Sequence, residues 1–217
     1  MCGFLLKDTF VPIDNIAESP EKNFKLPPEE FAKYYDDIIA VCHSHCLVGK
    51  EYSFFDIRTP SYKDIIGQRR TARPWLIFGT EGVNVLEPIQ LPNVRNPKYL
   101  ERQFLWFIND CYTLVQDYYF YELGISLPDS TPPENFSRFH SMSNIFDDKV
   151  LSYGFKKTVF DGKLKNGDLL LVDNAGFRNN HLAIAHEGKL LHQDMVSQLV
   201  PVEHFVGRIH SKLIYTG

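Results

Sequence analysis

The residue pattern predicts a two-domain α+β protein, and three observations carry that reading. Roughly the first ninety residues alternate helical and strand-like segments, a stretch rich in proline and asparagine interrupts them, and short apolar runs then follow one long amphipathic helix. At 217 residues the chain is long enough for two domains, each with its own core.

Pro28 and the acidic pair Glu29 and Glu30 open a helical segment, PPEEFAKYYDDI, in which Phe31, Tyr34, Tyr35 and Ile38 recur at helical spacing. It runs into IIAVCHSH, whose apolar start predicts a buried strand. A second helix is predicted over SYKDIIGQRRTA, and PWLIFGTEGVNVLEP reads as two strands turned at Glu81-Gly82. PIQLPNVRNPK holds three prolines and two asparagines and reads as an extended linker, which places a domain boundary between residues 92 and 93. The helix DCYTLVQDYYFYELG follows, with Leu114, Val115, Tyr118 and Tyr121 at helical spacing and Gly124 as its stop. Beyond a polar loop, GDLLLVD, HLAIAH and KLLHQD are predicted strands, the last two joined by the turn Glu187-Gly188.

Composition narrows the function classes. A net charge of −4, with no basic run longer than Arg69-Arg70, argues against nucleic acid as a partner. No apolar stretch approaches the ~18 residues of a membrane span, and MCGFLL lacks the basic flank of a secretory signal, so the expectation is a chain made and kept in a cytoplasm. Four cysteines, Cys2, Cys42, Cys46 and Cys111, are too few for a disulfide scaffold and suit a reducing compartment. Cys2 as an N-terminal nucleophile lacks supporting motifs, and Cys42/Cys46 lacks the two-residue spacing of a redox pair.

Cys111 follows Asn109-Asp110, either of which can cap the helix, so its thiol falls in the first turn, where backbone N–H groups and the helix dipole favour the thiolate. A two-residue turn at Glu187-Gly188 pairs His186 with Lys189 and sets His192 opposite Ala183. His181 and His192 then share one sheet face as diagonal neighbours, the layout of a base and its orienting group. Singly, such a cysteine is ordinarily a small core residue and such a histidine a hydrogen-bonded surface group.

Together, NDCYTLVQDYYFYELGISLPD, GDLLLV, NHLAIAHEGKLLHQ and RIHSKLIY resemble the NlpC/P60 family of papain-like cysteine peptidases over residues 93–217. The resemblance implies a papain-like α+β fold with Cys111 as nucleophile, His181 as base and His192 as orienter. Backbone N–H groups near Cys111 would form the oxyanion hole. The substrates it implies are amide bonds in the peptide stems of bacterial peptidoglycan.

In the first half, His43 and His45 lie two apart on a strand and so face the same way, as two ligands of one metal ion would. Alone the pair is a weak signal. MCGFLL, HSH, a later Ser-x-x-Asp and PWLIF resemble the JAMM (MPN) metallopeptidase family over residues 1–92, which implies an α/β domain holding Zn²⁺ on two histidines and an aspartate. Ser53/Asp56 has the family's usual spacing, but a helix begun at Ser53 meets Pro60, whereas one begun at Ser61 runs clear to Pro74 and makes Asp64 the third ligand. Cys46 stands where the family has proline and is a candidate fourth ligand. The family's general-base glutamate precedes the CGF strand, where this sequence has only Met1, so the resemblance implies zinc binding with hydrolysis by this half left open.

These two families occur in this order in the tail-assembly proteins of bacteriophages. That order implies other tail-tip proteins as partners, the host cytoplasm as the place of assembly and the virion tail tip as a destination. A non-catalytic tail component that uses both halves for docking is the competing expectation.

Overall fold

Residues 1–21, 23–46, 57–81, 83–92, 95–129 and 144–217 are described by the computed structural model. They fall into two units, Met1–Val94 and Arg95–Gly217. Both mix helix and strand.

The first unit contains β1 (Cys2–Leu5), β2 (Phe10–Pro12), α1 (Pro28–Tyr34) with a 3-10 turn at Tyr35–Asp37, β3 (Ala40–Cys46) and α2 (Tyr62–Thr71). After them come β4 (Trp75–Glu81), β5 (Asn84–Val85) and β6 (Ile89–Leu91). The strands form one sheet in the order β2-β1-β3-β4-β5, with β6 also on β4. β3 and β4 run parallel, with α2 in the connection between them. A parallel strand of this kind is covered on both faces, which explains why Ala40 to His43 are buried without alternation. The segment read as a linker is in part a strand: Ile89 pairs with Ile77 and Leu91 with Trp75, and both are buried while Gln90 is exposed. Three residues between Pro88 and Pro92 are too few for a period to show.

Ser61 caps α2 as the sequence predicts. Its hydroxyl accepts from the Asp64 N–H and the Asp64 carboxylate accepts from the Ser61 N–H, a reciprocal capping box. One turn on, Gly67 lets the Trp75 ring lie against the helix, since a Cβ there would stand 2.4 Å from the indole. The indole cannot easily withdraw: its N–H donates to Thr71 Oγ1 at 2.9 Å and its ring contacts Phe24 and His43. Helix propensity alone would make Gly67→Ala stabilising by about 1 kcal/mol. We expect instead a lowered melting temperature in thermal denaturation, because overpacking against a pinned ring costs about 1–3 kcal/mol.

The second unit contains α3 (Cys111–Leu123), α4 (Lys149–Ser152), β7 (Phe155–Thr158), β8 (Leu169–Asn174), β9 (Phe177–His186) and β10 (Lys189–Gln193). β11 (Ser197–Val200), a 3-10 turn at Val202–Phe205 and β12 (Ile209–Tyr215) complete it. Its strands form an antiparallel sheet in the order β11-β10-β9-β8-β12-β7. Asp110 caps α3, accepting from the Tyr112 and Thr113 N–H groups, and Gly124 ends it in the left-handed conformation at φ +67°. Leu114, Val115, Tyr118 and Tyr119 pack into the core beneath the sheet, each contributing about 1.5–3 kcal/mol by burial. Tyr121, placed by spacing on the apolar stripe, is exposed, while Tyr119 is buried with its hydroxyl donating to the Gly167 carbonyl at 2.6 Å.

Candidate active site and candidate metal centre

β9 and β10 have the register that a two-residue turn requires: His186 opposite Lys189 and His192 opposite Ala183. His181 Nε2 and His192 Nδ1 accordingly meet at 3.2 Å in the interior. Cys111, the first residue of α3, lines the same pocket as His181, a cavity of about 180 Å³. The backbone N–H groups of Leu182, Cys111 and Tyr112 point at its sulfur. With His181 Nε2 engaged by His192, Nδ1 is the ring nitrogen left for the thiol.

The start of α3 is held from behind. Arg102, itself buried, donates to Asn109 Oδ1 at 3.0 Å and to Asp117 Oδ2 at 2.8 Å, joining the approach to α3 to its second turn. Its backbone is tied to β10 and β11, where the Gln193 amide donates to the Arg102 carbonyl and the Arg102 N–H donates to Ser197 Oγ. The sequence reading did not find this anchor, whose members are spread from residue 102 to 197.

The charge state of the thiol departs from expectation. Helix position was expected to favour the thiolate, but burial pushes the Cys111 thiol up, and the Asp110 carboxylate beside it pushes the same way. The three N–H groups oppose this without overcoming it. His181 is lowered to about 3, chiefly by burial and then by the His192, Arg208 and His204 charges. His192 is lowered to about 4 by burial, against the pull of Asp194. The resting pair is therefore a neutral thiol and a neutral imidazole.

Those two histidines make the second unit acid-sensitive. Unfolded, each binds a proton near pH 6.5, while folded neither does until about pH 3–4, so between these limits the unfolded chain holds more protons. Their contribution is fully present above about pH 6.5 and is lost as pH falls towards the folded values. Melting temperature should drop over that window, and a His181→Gln/His192→Gln variant should show a flatter profile by calorimetry.

In the first unit, β3 and the cap of α2 bring together His43, His45 and Asp64. His43 Nε2 lies 3.1 Å from Asp64 Oδ1, His45 Nε2 lies 3.2 Å from Asp64 Oδ2, and the two Nε2 atoms are 3.2 Å apart. Burial works against ionisation of Asp64, but hydrogen bonds from the two imidazoles prevail and hold its carboxyl well below the usual range. Phe24 stacks on the His43 ring at 4.5 Å between centroids, and Trp75 meets it edge-on at 5.5 Å. Nothing in the spacing of Phe24 announced this role. Cys46 belongs to the other face of β3, where its sulfur contacts Ser44 Oγ and Thr80, so it is no fourth member of the cluster. Asp56, the alternative to Asp64, lies outside the described residues.

Among the described residues no helix is long and apolar enough to cross a membrane. Over its whole length the chain is 27% identical to Tail tip assembly protein K of Escherichia phage N15, covering 82% of that protein. Residues 101–214, just over half of the chain and nearly all of the second unit, match the NlpC/P60 family. By that match the chain belongs to the NlpC/P60 family.

Proposed function

We propose that the chain is a phage tail-tip protein whose second unit hydrolyses amide bonds in peptidoglycan stem peptides. The observation that carries this is that Cys111 and His181 line one pocket, with His192 against the far nitrogen of His181. Sγ attacks the scissile carbonyl as His181 Nδ1 takes the thiol proton, and N–H groups at the head of α3 receive the developing oxyanion. His181 passes that proton to the leaving amine, leaving a thioester on Cys111. Water, deprotonated by His181, then cleaves the thioester to release the acid and restore the thiol. His192 orients the base throughout. Lys149 and Asp194 lie on the pocket wall, between aromatic walls that include Phe104, Trp106 and Phe146.

Purified muropeptides incubated with the protein under reducing conditions, with Cys111→Ala alongside, test the reading by mass spectrometry of the products. Cleavage that requires Cys111 supports it; its absence favours a tail component that docks without catalysis. In either case we place the chain in the host cytoplasm during assembly and then at the tail tip, in contact with other tail-tip proteins.

We further infer that the first unit is a JAMM-like zinc domain. Around a tetrahedral zinc with bonds of 2.0–2.1 Å, neighbouring ligand atoms stand about 3.3 Å apart. The two Nε2 atoms, 3.2 Å apart, fit that spacing, and each lies 3.1–3.2 Å from one oxygen of the Asp64 carboxylate. Zinc held there would supply a Lewis acid. His43 and His45 would hold it through Nε2 and Asp64 through its carboxylate, with Phe24 stacked on the His43 ring and Trp75 edge-on to it.

A further inference from the structure

The protonation pattern of His181 is decided at the far end of its partner. The contact between His181 Nε2 and His192 Nδ1 holds one proton. With that proton on His181 Nε2, Nδ1 carries a bare lone pair and can act as a base. With it on His192 Nδ1, a neutral His181 carries its own proton on Nδ1 and cannot. Each neutral imidazole has a single N–H, so the productive arrangement leaves His192 protonated at Nε2. That atom is buried and has no hydrogen-bond partner among the described residues. An N–H buried without an acceptor is disfavoured, so the productive tautomer needs a group to accept from it.

His204 is placed to be that group. It stands on the 3-10 turn Val202–Phe205, its ring centroid 5.6 Å from that of His192 and tilted by 34°. Phe205, next along, packs against both His181 and His192 and fixes the turn over them. The three rings thus form a file from the buried base to an exposed residue. We infer that His204 is a positioning residue that accepts from His192 Nε2–H through one water, and so holds His181 in the tautomer able to take the thiol proton. This rests on Cys111 being the nucleophile.

The other charged groups around the file are Arg208, Asp194 and Glu203. Arg208 acts on both histidines and donates to the His204 carbonyl, but a guanidinium cannot accept. Asp194 acts on His192 from just beyond the end of β10 and is the rival acceptor. Glu203 precedes His204 on the turn and is exposed.

Histidine-ring ¹⁵N NMR of the full chain, read without substrate, tests this beside muropeptide cleavage. Wild-type His181 should be protonated at Nε2, and His204→Phe should move that proton towards Nδ1 and lower kcat about tenfold or more with KM unchanged. His204→Gln, whose amide oxygen can accept, should restore both tautomer and kcat. A His181 tautomer indifferent to His204→Phe, or moved only by Asp194→Asn, overturns the inference, as does a His204→Gln variant that restores neither tautomer nor kcat. A tautomer shift in a protein that cleaves nothing would uphold the file and sink the peptidase reading instead.

Discussion

Replacing Cys111 by alanine should lower kcat/KM on stem peptides by at least about 10⁴-fold, and His181→Ala should do nearly the same, because a nucleophile and its base act as one unit. The combined variant should lose little more than either alone. The neutral resting pair sharpens this expectation. Since burial and Asp110 disfavour the thiolate, Cys111 has little nucleophilic population of its own and depends on His181 at the moment of attack. Steady-state kinetics on a defined tetrapeptide, with melting curves to show that each variant folds, measure the effect. A His181→Ala protein that kept a tenth of the wild-type rate would exclude this account.

Replacing Asp64 by alanine should remove the metal from the first unit. Wild-type protein purified with zinc present should carry about one ion per chain, and Asp64→Ala close to none, since two imidazoles alone do not make up a structural or catalytic set. The capping box complicates the stability reading, because Asp64 also accepts from the Ser61 N–H. Ser61→Ala separates the two roles: it removes the cap at a cost of about 1 kcal/mol and leaves all three candidate ligands in place. Elemental analysis should find zinc retained in Ser61→Ala and lost in Asp64→Ala. Zinc-free wild-type protein would count against the inference.

Local rules made much of this architecture readable. The pairing of His192 with Ala183 follows from a turn of fixed length, and the caps at Ser61 and Asp110 follow from residues that can accept from the first N–H groups of a helix. What was not readable depends on distant partners. Ile89 to Leu91 become a strand because β4 offers an edge, a fact invisible between two prolines. The anchoring of α3 by Arg102 joins groups nearly a hundred residues apart. The sign of the Cys111 shift was misjudged for the same reason. Helix position is written in the neighbouring residues, whereas the burial that outweighs it comes from the sheet against which α3 packs.

That burial bears on how long the protein keeps its activity. Peroxides and disulfides react with thiolates, so a sulfur kept protonated, beside a base that is itself neutral, is a slow target for both. In air-saturated buffer Cys111 should outlast the exposed Cys46, whose thiol is shifted down by Thr80 and Ser44. The arrangement that makes the resting enzyme unreactive also preserves it until a substrate arrives.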